Sequence, residues 1–188
     1  MRITFDLDDV IFNMRPLTLE AFRRAGVPYE KQTSWNIDEI YDKKLCDSLI
    51  ELWSSDMLYQ MPVLDKGMPY ILNSLMAQPE HEVFFVTERR LKQPEKTFRQ
   101  LRQAGINCSY SQVYDQEGLK SDILREIQPD IHFDDSPNVI KGCLAKSVPV
   151  AMISNNSTLY NHYLRKVVEH YTSLRGALYK KGLLPRTR

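Results

Sequence analysis

Apolar residues return along this chain in two rhythms. Short β-prone runs occur at Ile3 to Phe5, Val83 to Thr87, Tyr110 to Tyr114, Ile131 to Asp134 and Val148 to Ile153, and each is predicted as a strand. Between them apolar residues come every third or fourth position, the spacing of a helix with one buried face. Pro16, in a first turn, opens a helix with Leu17, Ala21 and Phe22 on one side and Gly26 as its stop. Lys44 to Ser54 carries Leu45, Leu49, Leu52 and Trp53 in the same way, and Ile71, Leu72 and Leu75 mark a helix ending near Met76. Pro94 to Ala104, closed by Gly105, and Lys120 to Ile127, followed by Pro129, are the next two. Ser136-Pro137 starts another, a capping hydroxyl with a proline at the first helical position. Tyr160, Leu164, Val167, Tyr171, Leu174 and Leu178 form a final stripe that predicts one long helix, with a basic, solvated tail from Lys180.

Strands alternating with helices imply parallel pairing and right-handed crossovers. The expected fold is α/β, a three-layer Rossmann-like sandwich made of residues 1–12 and 62–188. Residues 13–61 interrupt it as a small helical insertion after the first strand. Asp6, Thr87 and Asp134 then lie at carboxyl ends of strands, and so share one rim of the sheet, where open α/β folds bind ligands.

Composition narrows the picture. With 188 residues, 43% of them hydrophobic and a net charge of +1, the chain has material for one core and no strong field for nucleic acid or membrane. Cys46, Cys108 and Cys143 are odd in number and lack metal-ligand spacing, so reduced thiols are expected. The sequence enters its first strand at once and has no run long enough to span a bilayer, which points to a cytoplasmic protein. No Ser-His-Asp or Cys-His arrangement is visible, and His81 and His132 are expected to be structural, offset from the rim or pointing away from it.

The chemistry is concentrated in Asp6-Leu7-Asp8-Asp9. Carboxylates this close repel one another unless a cation lies among them, and hard oxygen ligands suit Mg²⁺; a solvated acidic turn is the plain alternative. Further on come Thr87 at a strand end, Lys120 at a helix start and the pair Asp134-Asp135 at another strand end. This order, from Ile3 to Pro137, resembles the haloacid dehalogenase (HAD) superfamily of phosphatases. The resemblance implies Asp6 as nucleophile, Asp8 as acid and base, Thr87 as donor to a phosphoryl oxygen and Lys120 as the balancing cation. It also implies Mg²⁺ on Asp6, Asp134 and the Asp8 carbonyl, with Asp135 orienting Lys120 or a metal-bound water, and 13–61 as a cap over the site. Thr87-Glu88-Arg89-Arg90, Pro94-Glu95-Lys96 and Asp134-Asp135-Ser136-Pro137 resemble the 5'(3')-deoxyribonucleotidases, which act on nucleoside monophosphates; Asp9 and Glu88 depart from that pattern. Thr87, Glu88, Arg89, Trp35 and Trp53 are therefore expected to meet substrate, the two tryptophans by stacking on a base unless they only fill the cap's core. The expected partner is a small phosphomonoester, not a membrane or nucleic acid, and a homodimer stays open. A sugar phosphate, a polynucleotide end, or a silent scaffold used for binding are the competing readings.

Overall fold

The computed structural model describes residues 1–29, 42–115, 118–154 and 164–184. Six parallel strands form one sheet: β1 (Arg2–Phe5), β2 (Glu82–Val86), β3 (Val113–Tyr114), β4 (Ile131–Asp134), β5 (Val150–Ile153) and β6 (Glu169–Tyr171). Their order is β3-β2-β1-β4-β5-β6. The chain leaves β1 toward one edge and later returns to pair β4 on its other side, so the strand order reverses at β1. In open α/β sheets ligands bind at such a reversal, beyond the carboxyl ends of the strands, here those of β1 and β4.

Alternation along each strand builds the layers. Ile3, Phe5, Val83, Phe85, Ile131, Phe133, Ala151 and Ile153 point into one core, covered by α3 (Met68–Met76), α4 (Pro94–Gln103) and α7 (Leu174–Lys180). Phe5 stacks on Phe133 there, with ring centroids 5.4 Å apart. Val86 faces the opposite layer, where α5 (Lys120–Ile127) and α6 (Pro137–Ala145) supply Ile123, Leu124, Ile127, Val139 and Cys143. Strands apolar on both faces are what a doubly covered parallel sheet requires.

The remaining helices, α1 (Arg15–Ala25) and α2 (Lys43–Trp53), bury a separate core of Met14, Leu17, Ala21, Phe22, Leu45, Leu49, Leu52 and Leu58. Gly26 takes a left-handed φ of 69° to end α1, the conformation glycine adopts at least cost. The two passages between this pair and the sheet run side by side: Asn13 N–H donates to Pro62 O at 2.8 Å, and Leu64 N–H to Ile11 O at 2.8 Å.

Two expectations need correction. The terminal stripe is not one helix. Glu169–Tyr171 pairs with β5 as the edge strand β6, and Ser173 then caps the short α7 by accepting from Gly176 N–H. Open backbone groups at the β5 edge reward a strand, and the β-branched and aromatic residues Val167, Val168, Tyr171 and Thr172 suit one; spacing of three or four could not reveal this. Tyr160, and the tail from 185 onward, lie outside the described residues. The third strand is also shorter than Tyr110 to Tyr114, because Tyr110–Gln112 forms a 3₁₀ turn and only Val113–Tyr114 pairs with β2. No helix among the described residues is long and apolar enough to cross a membrane.

Candidate active site

β1 ends at Phe5, and the next residue, Asp6, donates its backbone N–H to Phe133 O at 2.9 Å. That bond carries the β1–β4 pairing one residue further and brings Asp6 beside Asp134. Lys120, the first residue of α5, places its ammonium between them, 2.6 Å from Asp6 Oδ1 and 2.9 Å from Asp134 Oδ2. All three side chains are nearly sealed from solvent, at 3% exposure for Lys120, 6% for Asp6 and 0% for Asp134. Residues from positions 6, 120 and 134 thus form one buried charge cluster.

His132 belongs to this cluster. Its Nε2 lies 2.9 Å from Asp134 Oδ2, and its Nδ1 lies 2.9 Å from Thr4 Oγ1. A carboxylate can only accept, so Nε2 carries the proton and Nδ1 accepts from the Thr4 hydroxyl. Burial holds the imidazole below its ordinary pKa and keeps it neutral against the pull of Asp134. His132 is offset from the rim, two residues before the end of β4, but it turns toward Asp134 and not away from it, and a signal for that contact was available. His132 and Asp134 are two apart on one strand, as are Thr4 and Asp6 on its neighbour, so all four share a face.

Asp135 adds the third carboxylate. Single oxygens of Asp6, Asp134 and Asp135 lie within 4.8 Å of one another. Lys120 meets Asp6 and Asp134, so of the two roles expected for Asp135, orienting Lys120 or a metal-bound water, the first falls to Asp6 and Asp134. Burial, together with Asp134 and Asp8, pushes the Asp6 carboxyl up to about 7 despite Lys120. Burial and the charges of Asp9, Asp6 and Asp134 push Asp135 up as well. At Asp134 burial acts the same way but is outweighed by Lys120 and His132, which hold it at about 2. Three hard oxygen donors in one crowded cluster suit a divalent cation such as Mg²⁺ better than a soft or nitrogen-seeking metal.

Asp8 takes a different partner. Both its oxygens accept from Arg89: Nη2 donates to Oδ1 at 2.7 Å and Nε to Oδ2 at 3.1 Å. The Arg89 side chain is 1% exposed, whereas Glu88 beside it is exposed. Thr87 is buried just past β2, and its N–H donates to Tyr114 O at 3.0 Å. Asp9 has a left-handed φ of 56°, which aspartate tolerates, and its Oδ1 accepts from Met14 N–H at 3.0 Å where α1 begins. Burial pushes the Asp9 carboxyl up to about 6.

Of the two tryptophans, Trp53 packs against the α1–α2 core with its indole nitrogen buried and without a hydrogen-bond partner among the described residues. Trp35 lies outside the described residues. Asp6, Lys120 and Asp134 are thus brought together, Asp8 joins them through the β1 loop, and Trp53 sits in the helical pair.

No protein-family model matches the sequence, and no curated protein matches it. Solved structures do match. A haloacid dehalogenase-like hydrolase from Streptococcus pneumoniae superimposes with a TM-score of 0.65 at 13% identity, over 95% of this chain and 97% of that one. A protein assigned as a phosphoglycolate phosphatase from Lactobacillus plantarum gives 0.57 at 15% identity, over 97% and 98%. The HAD-hydrolase YfnB from Bacillus subtilis, solved bound to magnesium, gives 0.55 at 12%, over 96% and 98%. By these superpositions the chain has the fold of the haloacid dehalogenase-like hydrolases.

Proposed function

We propose that this protein is a Mg²⁺-dependent phosphomonoesterase that works through an aspartyl-phosphate on Asp6, with nucleoside monophosphates as its substrates. The observation that carries the reading is the buried Lys120 ammonium between Asp6 and Asp134, with Asp135 in reach. A phosphate monoester is a dianion, and an anionic nucleophile attacks it only where charge is neutralised and geometry is fixed. Asp6, Asp134 and Asp135 would hold the cation, with the backbone carbonyl of Asp8 as a further oxygen donor. When bound, Mg²⁺ supplies positive charge against the phosphoryl oxygens.

The chain's own groups account for the remaining chemistry. A carboxylate oxygen of Asp6 forms the bond to phosphorus while the bond from phosphorus to the ester oxygen breaks. In its protonated form Asp8 gives that proton to the departing oxygen. Asp8 then takes a proton from the water that attacks the phosphorus of the aspartyl-phosphate, releasing inorganic phosphate and restoring Asp6. Lys120 stays charged throughout, because Asp134 and Asp6 raise its pKa above its ordinary value despite burial. Thr87 is assigned to a phosphoryl oxygen. His132 orients Asp134.

These groups touch only phosphate and metal, so discrimination among esters falls to the helical pair, as a cap, and to the loop after Thr87. The nucleotide assignment rests on the motif resemblance around Thr87 and Asp134 and on the aromatic content of residues 13–61. Free cysteines, with Cys108 and Cys143 buried, fit the cytoplasm we assign. The test is a panel of phosphorylated metabolites, including 5'- and 3'-(deoxy)nucleotides and sugar phosphates, with Mg²⁺ and with EDTA. Turnover of nucleotides above all others, lost in EDTA, is expected. Preference for a sugar phosphate would overturn the substrate, and full activity in EDTA would overturn the metal.

A further inference from the structure

We propose that Arg89 is a positioning residue for Asp8 and not a substrate ligand; this rests on the phosphomonoesterase reading. An arginine two residues after Thr87, at the mouth of a site for phosphate, is easily read as an anion clamp. Its surroundings point elsewhere. The guanidinium is 1% exposed, and each of its nitrogens is engaged. Nε and Nη2 grip the two oxygens of Asp8, while Nη1 donates to Thr97 Oγ1 at 3.3 Å. The Thr97 hydroxyl in turn donates to Asp115 Oδ2 at 2.7 Å, and Asp115 is 1% exposed. On the other side Arg89 lies 5.1 Å from the ring centroid of Tyr59. An incoming phosphate could reach this guanidinium only by breaking a two-point contact inside the protein.

The two-point contact matters because of where Asp8 sits. It follows the end of β1, in a turn whose next residue has a left-handed backbone. An aspartate's last torsion is broad and roughly twofold, so packing alone fixes the plane of its carboxyl group poorly. A planar fork of donors fixes that plane, as a single ammonium would not. The Asp8 side chain remains 27% exposed, so the fork does not seal it from solvent. Arg89 thus anchors Asp8 to α4 through Thr97, and to the turn Asp56–Gln60 through Tyr59. In this arrangement the reach and angle of Asp8 toward the ester oxygen are set by Arg89.

The experiment compares phenyl, p-nitrophenyl and 2,4-dinitrophenyl phosphates at saturating Mg²⁺. The proteins are wild type, Arg89→Gln, Arg89→Lys, Asp8→Asn and the Asp8→Asn/Arg89→Gln double variant, each checked for folding by its thermal midpoint. Phenyl phosphate needs its departing oxygen protonated, whereas 2,4-dinitrophenyl phosphate does not. Arg89→Gln should therefore lower kcat on phenyl phosphate by roughly 10-fold or more, and on the dinitrophenyl ester by less than about 3-fold. In the Asp8→Asn background the same change should cost less than about 2-fold on any ester, since groups acting as a unit are not additive. Arg89→Lys keeps the charge and loses the fork; it should show the same leaving-group dependence, and it carries the test if Arg89→Gln does not fold. Equal losses on all three esters, or a raised KM that multiplies with Asp8→Asn, would make Arg89 a substrate ligand and overturn the proposal. A wild type inactive on all three esters would overturn the phosphomonoesterase reading and this proposal with it.

Discussion

Lys120→Met isolates the charge cluster from the rest of the fold. Methionine keeps most of the aliphatic stem and adapts to irregular space, so the change removes little packing and all of the charge. What it leaves is Asp6 and Asp134, whose side chains are 6% and 0% exposed and had bound the ammonium at 2.6 and 2.9 Å. Removing one partner of a buried ion pair costs about 3–5 kcal/mol. For a chain of 188 residues this is a fall of roughly 6–20 °C in Tm. The loss must depend on pH. Asp134 is held at about 2 by Lys120 and His132 against burial, so in wild type its stabilising contribution is present above its ordinary pKa and disappears only as pH falls toward 2. Without Lys120 both carboxyls rise and the folded variant takes up protons, so it loses stability as pH rises. The gap between wild type and variant should therefore be widest near pH 7.5 and narrow below about pH 5. Urea and thermal melts in EDTA at pH 4, 5.5 and 7.5 measure it. A gap that does not vary with pH, or that stays below about 1 kcal/mol at pH 7.5, would refute the assignment of Lys120 as the cluster's buried counter-charge. Turnover at saturating Mg²⁺ should also fall by roughly 10²–10³, the scale for losing one preorganised electrostatic group.

Asp6→Asn should abolish turnover while leaving the thermal midpoint within a few degrees of wild type or above it, since a neutral isostere relieves crowding with Asp134 and Asp8; near-normal activity would exclude a covalent intermediate on Asp6. The metal-free protein should lose stability as pH rises from about 4 to 7, because Asp6 and Asp9 are pushed up to about 7 and about 6 by burial and bind more protons folded than unfolded. Mg²⁺ should reverse that loss, and a flat melting profile across the window in EDTA would count against it. Trp53→Ala should raise KM for a nucleotide several-fold while sparing p-nitrophenyl phosphate if the indole stacks on the base, a contact worth roughly 1–3 kcal/mol. Lower stability with no separation of the two substrates would assign Trp53 to the core of the α1–α2 pair alone.

Local spacing carried most of the architecture. Lys120–Ile127 and Ile131–Asp134 have their predicted bounds, since a helix period bounded by Pro129 and a short apolar run ending in acids leave little choice of element. Strands alternating with helices already implied parallel pairing in a three-layer fold, and the order of acids, threonine and lysine indicated which rim carries the chemistry. Edge pairing was not legible, because β6 forms where β5 offers unpaired backbone groups, and that depends on a neighbour more than a dozen residues away. Side-chain partnership was decided only in three dimensions. Residue types could place Asp6, Asp8, Arg89, Lys120 and Asp134 near one rim, but not show that Lys120 bridges Asp6 and Asp134 while Arg89 turns inward to Asp8. Which cation meets which carboxylate in a sealed space is settled by burial. An unpaired charge there costs several kcal/mol, so the packed elements rather than the order of residues assign the partners.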